Sequence, residues 1–153
     1  MSDSNLAAIR LSRRSVAVAI FTEVRLEYAQ ERHLSSVSER AEDSTVDFVR
    51  WIVATFGVAS AALEQAAEAN HARRGVLTQL ALQILREEAV SVWQVRKDQL
   101  FDAFAIPSLV RRKELRAIAA SFWPGFPGKQ QSGVIWDAAA LGLYVQTERQ
   151  FLS

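Results

Sequence analysis

Gly133-Val-Ile-Trp-Asp-Ala-Ala-Ala-Leu-Gly-Leu-Tyr144 reads as an otherwise apolar final helix that carries one carboxylate, Asp137, in its first turn. Ala138, Leu141, Gly142 and Val145 share one face of it, at the spacing of a buried helical stripe. Outward from this helix, the start of the chain reads as strands. Asn5-Leu-Ala-Ala-Ile-Arg10 is a short extended segment, Leu11-Ser-Arg-Arg-Ser15 is polar enough to turn, and Val16-Ala-Val-Ala-Ile-Phe21 is apolar on both faces. A strand without a polar face belongs in the middle of a sheet covered on both sides. Arg25 to Leu34 alternates instead, with Leu26, Tyr28 and Leu34 on one face and Arg25, Glu27, Glu31 and His33 on the other, as expected of a half-exposed strand near a sheet edge. Only Thr22 to Val24 separate these last two strands, too few residues for a crossover helix, so they pair as an antiparallel hairpin.

The middle of the chain alternates helix and strand. Ser35 to Asp43 reads as a polar loop, and Ser44-Thr-Val-Asp47 places a hydroxyl and an acid at capping-box spacing, which predicts a helix start. Val46, Val49, Val53 and Phe56 form its stripe, Gly57 stops it, and Val58-Ala-Ser-Ala-Ala-Leu63 follows as a buried strand ending at Glu64. Gln65 to Ala72 reads as a loop or a frayed helix start. Leu77, Leu80, Ala81, Ile84 and Leu85 mark a second helix, and Ala89-Val-Ser-Val-Trp93 the strand that a βαβ unit requires after it. From Gln94 to Pro107 the chain turns basic and irregular. Leu115, Ile118, Ala119 and Phe122 then make a helix that Trp123-Pro-Gly-Phe-Pro-Gly128 terminates.

Composition bounds what such a chain does. Its 153 residues fit one domain spanning 1–153, and with half of them hydrophobic and 23% charged the balance is that of a globular protein. A net charge of +1 steers nothing by itself, so attraction for an anionic partner has to come from clustered basic residues. The absence of cysteine excludes a disulfide framework and thiolate metal sites. No apolar run reaches transmembrane length and no signal peptide opens the chain, so a cytoplasmic protein without a membrane partner is expected. His33 and His71 lack the neighbours of a zinc site, and there is neither a nucleophile elbow nor a glycine-rich phosphate loop.

Three segments in this order resemble the ribonuclease H-like superfamily, and within it the RuvC-type Holliday-junction resolvases. Leu6 to Ile20 is similar to the family's first strand, turn and second strand; Ser60-Ala-Ala-Leu-Glu64 resembles the strand ending in its glutamate; Trp136-Asp-Ala-Ala-Ala-Leu141 resembles the start of its last helix with the aspartate. Lys113 falls where such resolvases often carry a lysine. The resemblance implies an α/β, three-layer fold. Its mixed five-stranded sheet has three antiparallel strands followed by two parallel ones, with helices on both faces. It also implies that Glu64 and Asp137 are remnant acids of a metal-dependent nuclease site.

One departure changes that expectation. The family's first strand normally ends in an aspartate before a glycine-bearing turn, whereas that place falls here at Ile9 or Arg10 and the turn has no glycine. Two-metal phosphodiester hydrolysis needs several carboxylates converging on two cations about 4 Å apart. An arginine there cannot ligate a metal and repels one. It can pair with Glu64 or Asp137, or hold a phosphate where an ion would have held it. The expectation is a degenerate site, a pseudoenzyme without a cofactor, magnesium being required only if the acids function. On the alignment alone, Arg10→Asp would create magnesium or manganese affinity.

Bland readings stand beside these. Asp137 can simply complement the helix macrodipole, Glu64 can be a solvated strand end, and Arg10 can be a salt-bridge partner or merely exposed. Basic residues cluster at Arg13-Arg14, Arg73-Arg74, Arg96-Lys97, Arg111-Arg112-Lys113 with Arg116, and Lys129. Of these, Arg13, Arg14, Arg96, Lys97, Arg112 and Lys113, with Arg10, are the candidate nucleic-acid-binding residues, for branched or single-stranded partners. The alternatives are a protein-interaction scaffold that dimerises through an apolar helix face, or an active magnesium-dependent endonuclease with an atypical first acidic position.

Overall fold

The structure, a computed structural model, describes residues 5–65, 72–104, 112–123 and 133–152. Five strands, β1 (Asn5–Leu11), β2 (Ser15–Thr22), β3 (Arg25–His33), β4 (Val58–Glu64) and β5 (Ser91–Val95), form one sheet in the order β3-β2-β1-β4-β5. β1 to β3 are antiparallel neighbours, and β4 and β5 run parallel to β1. Among the described residues, five helices cover it: α1 (Ser38–Phe56), α2 (Ala72–Glu87), α3 (Lys97–Ala103), α4 (Arg112–Phe122) and α5 (Gly133–Leu152). This is the expected three-layer architecture.

Period-two alternation divides the core between the two sheet faces. Val16, Val18 and Ile20 of β2 join Ala7, Ile9 and Leu11 of β1 against the buried residues of α1 and α2. Ala17, Ala19 and Phe21 join Leu6 and Ala8 against α3, α4 and α5. α5 makes the closest approach, for a Cβ placed on Gly142 would lie 2.2 Å from the Phe21 ring. Glycine there lets the helix backbone settle onto the aromatic ring.

Several boundaries differ from the sequence reading, each for a local reason. α1 begins at Ser38, six residues ahead of the capping signal. Thr45 lies inside the helix with its hydroxyl bonded to the Ala41 carbonyl, and Ala41 extends the buried stripe through Thr45, Phe48, Val49 and Ile52. The polar run before Ser44 is therefore the solvent face of a helix rather than a loop. β5 begins at Ser91 instead of Ala89, because Ala89 takes φ +60 and its N–H and that of Val90 close α2 onto the carbonyls of Arg86 and Leu85. The segment after Gln94 contains α3, whose Leu100 and Phe101 are buried and whose start is held by the Gln99 side chain accepting from the Arg96 N–H at 2.9 Å.

β3 also departs from simple alternation. The pairing shifts by one residue between Ile20↔Tyr28 and Phe21↔Leu26, leaving Glu27 as the extra residue of a β-bulge. Leu26 consequently packs toward α5 while Tyr28 packs toward α1, on opposite faces rather than the same one. The readings placed on residues 66–71, on Arg111, on 124–128 and on Lys129 lie outside the described residues. None of the helices, among the described residues, is long and apolar enough to cross a membrane.

Candidate functional site

Register brings the site together. Ile9 pairs with Leu63 across the parallel β1–β4 ladder and both point toward α1 and α2, so the next residues, Arg10 and Glu64, emerge side by side on the α5 face. That places Arg10, not Ile9, at the end of the first strand. Asp137 descends onto the same spot from α5. It is the fifth residue of that helix, beyond the first turn, and is fully buried. A macrodipole partner belongs in the first turn and in water; Asp137 is in neither place. Glu64 is likewise buried, not a solvated strand end.

Among the described residues, four guanidiniums surround these two carboxylates. Arg112 grips Glu64 in bidentate fashion, at 3.2 Å and 2.6 Å, and reaches Asp137 at 3.5 Å. Arg116 grips Asp137 the same way, at 3.0 Å and 2.8 Å. Arg10 lies between the acids, its Nε 3.3 Å from Glu64 and 4.0 Å from Asp137, while its Nη1 donates to the Leu11 carbonyl. Arg74 enters from the first turn of α2, donates through Nε to that same carbonyl at 2.7 Å, and brings Nη2 to 3.6 Å from Glu64. Two packing features aim the outer pair: the Arg112 guanidinium lies over the buried Phe101 ring of α3, and Arg116 crosses the start of α5, where a Cβ on Gly133 would meet its Nη1 at 2.5 Å.

The electrostatics follow from burial and from this crowd of charges. Burial would push the Glu64 carboxyl up, but the charges of Arg10 and Arg112, the Arg112 hydrogen bonds and the charge of Arg74 outweigh it and hold it below the ordinary value. Burial lowers Arg10 to about 10, with Glu64 and Asp137 only partly opposing it and Arg112 and Arg74 adding to it. Burial lowers Arg74 as well. Arg112 is raised, because its two acids outweigh its desolvation.

Divalent cations of the magnesium type need an oxygen-rich shell. Here the available carboxylates are already engaged by guanidiniums, and a positive side chain lies between them. Among the described residues no group of three or more histidines, cysteines, aspartates or glutamates comes together. This donor set does not fit a hard cation.

The remaining candidates form a rim. β1, β4 and β5 run the same way, so the β1–β2 turn with Arg13 and Arg14, the end of β4 at Glu64, and Arg96 and Lys97 after β5 all lie at one edge of the sheet. Arg13, Arg14, Arg96, Lys97 and Lys113 are exposed. Arg96 pairs with Asp98 at 3.0 Å, and the Lys97 ammonium sits over Phe101. Lys113 is exposed, and it is Arg112 and Arg116 of the same helix that reach the acids. Arg74 and Arg116 were legible only as members of basic clusters; no local pattern marks them as partners of residues 10, 64 and 137.

No protein-family model matches this sequence, and no curated protein does. Solved structures do. Thermus thermophilus RuvC superposes with a TM-score of 0.78 at 15% identity, covering 96% of both chains. T. thermophilus RuvC in complex with Holliday junction substrate gives 0.74 at 15% identity over the same share of each chain. The yeast mitochondrial Holliday junction resolvase gives 0.65 at 11% identity, covering 97% of this chain and 83% of that one. At such identities the likeness is one of fold: this chain has the ribonuclease H-like fold of the RuvC-type resolvases.

Proposed function

We propose that this chain is a catalytically degenerate RuvC-like domain that binds nucleic acid without cleaving it. The observation that carries the reading is Arg10, buried at the end of β1 within 3.3 Å of Glu64 and 4.0 Å of Asp137. A cation fixed between the two acids removes the electrostatic basis for gathering metal ions there. The exposed basic residues at the same sheet edge support the binding half: Arg13, Arg14, Arg96, Lys97 and Lys113 can track phosphates while Arg112 and Arg116 form the floor. Two of the solved structures of this fold, those of T. thermophilus RuvC and fowlpox virus resolvase, are complexes with Holliday junctions, which favours branched DNA as the first ligand to try.

The test is fluorescence anisotropy with labelled Holliday junction, duplex and single-stranded DNA. Counterion release predicts a loss of affinity of at least ~10-fold between about 50 and 200 mM salt. Arg13→Glu combined with Arg14→Glu should weaken binding on all three ligands. Absence of binding, with a stable dimer in solution, would move the assignment to a scaffold that keeps only the fold.

A further inference from the structure

The charges of the buried cluster do not balance. Glu64 and Asp137 are each satisfied by an arginine of α4 in a bidentate pair, Arg112 on one and Arg116 on the other. Among the described residues, Arg10 and Arg74 have no bidentate carboxylate and share Glu64 with Arg112, at 3.3 Å and 3.6 Å. They are also the members of the cluster with a bare buried nitrogen: Arg10 Nε and Arg74 Nη2 have no hydrogen-bond partner. Both are secured through another nitrogen to a single acceptor, the Leu11 carbonyl, which holds two like charges next to each other. Buried cations are otherwise matched by anions in proteins, and among the described residues four guanidiniums here share two carboxylates, a surplus of two positive charges that an anion would balance.

We infer that this arginine cluster is a binding site for a dianionic phosphate group, a phosphomonoester or inorganic phosphate, which supplies the two negative charges that Arg10 and Arg74 lack. A phosphodiester carries one charge and would leave one cation over; a dianion matches both. Its oxygens accept from guanidinium nitrogens that make an ion pair with Glu64 but no hydrogen bond, as guanidinium forks and phosphate do elsewhere. The partly exposed Arg112 and Arg116, with side-chain exposures of 16% and 38%, form the outer side of the site. On the proposed nucleic-acid function, the natural source is the terminal phosphate of a strand, so this inference rests on that reading only for its source and not for its chemistry.

Two arms on the whole protein separate the possibilities. In the first, thermal unfolding is followed with inorganic phosphate against chloride at matched ionic strength. In the second, anisotropy compares single strands of one sequence bearing a 5′-phosphate or a 5′-hydroxyl. The expected results are a rise in Tm with phosphate and a preference for the phosphorylated strand of at least ~10-fold near neutral pH. Because the second ionisation of a phosphomonoester lies near pH 6, that preference should narrow at about pH 5.5, in a site faced by Arg10, Arg74, Arg112, Arg116, Glu64 and Asp137. Arg74→Gln, in the first turn of α2, should erase both the Tm rise and the preference for the phosphorylated strand. A Tm rise with no binding of either strand would place the phosphate on a small molecule and sink the nucleic-acid reading instead. No Tm rise and no preference for the phosphorylated end would overturn the inference, whether or not the chain binds DNA.

Discussion

At the scale of single residues, the acids and the basic residues of the cluster are not equivalent. Removing Glu64 leaves Arg10, Arg74 and Arg112 facing one another without their common partner, whereas removing Arg10 lowers the surplus of positive charge. Glu64→Gln should therefore cost about 3–5 kcal/mol, in the range for breaking a buried pair, and Arg10→Gln clearly less; urea unfolding of both variants decides it. Glu64 has a folded pKa below its ordinary value, so its contribution is complete above about pH 4.3 and is lost as the pH falls through the folded value. The stability gap between the wild type and Glu64→Gln should accordingly shrink between neutral pH and pH 3. Metal affinity obeys the same geometry. The alignment alone points to restored cation binding in Arg10→Asp, but Arg112 and Arg116 would still hold Glu64 and Asp137 in bidentate grips. Calorimetric titration of Arg10→Asp with manganese should show no binding; a measurable affinity would mean that those arginines yield. Arg10, Glu64 and Asp137 were legible as a set only through the resemblance, which the strongly patterned elements around them made visible. Arg74 and Arg116 were not, because what selects them is the packing of α2 and α4 onto strand ends far away in the chain.

At the scale of elements, two positions test how the helices are ended and seated. Ala89 holds φ +60 in the turn that closes α2, a conformation that costs an L-residue about 1–2 kcal/mol and glycine almost nothing. Ala89→Gly should raise stability by about 1 kcal/mol, seen as a higher Tm. Gly142→Ala should act in the opposite sense although alanine is the better helix former, because its Cβ would lie 2.2 Å from the buried Phe21 ring. Overpacking of this kind costs about 1–3 kcal/mol, more than the ~1 kcal/mol of helix propensity gained. An unchanged Tm would show that α5 can lift from the sheet. These elements also show where periodicity is a sufficient guide. β2, apolar on both faces, could only be a central strand. The early start of α1 was hidden because Ser38 to Asp43 are polar on every side except Ala41, and a stripe one small residue wide does not stand out. The β3 bulge was hidden for a different reason, since Glu27 is extra only with respect to β2 and pairing register is not written in either strand alone.

At the scale of the molecule, the sheet order gathers the charge. Parallel β1, β4 and β5 bring three strand ends to one edge, and α4 and α5 from one face with the start of α2 from the other complete a cluster in which, among the described residues, four arginines meet two acids. The fold is shared with RuvC-type resolvases, but at this place the chain carries cations where metal-dependent chemistry wants oxygens. Fold alone does not assign the reaction, and the net charge of +1 conceals a local concentration of guanidiniums around two acids. The most direct measurement is a combined gel-shift and cleavage assay on labelled Holliday junction with manganese at low and moderate salt. The account predicts a salt-sensitive shifted complex whose strands run at full length after denaturation. Manganese-dependent cutting by the wild type, abolished by Glu64→Gln and Asp137→Asn, would contradict it.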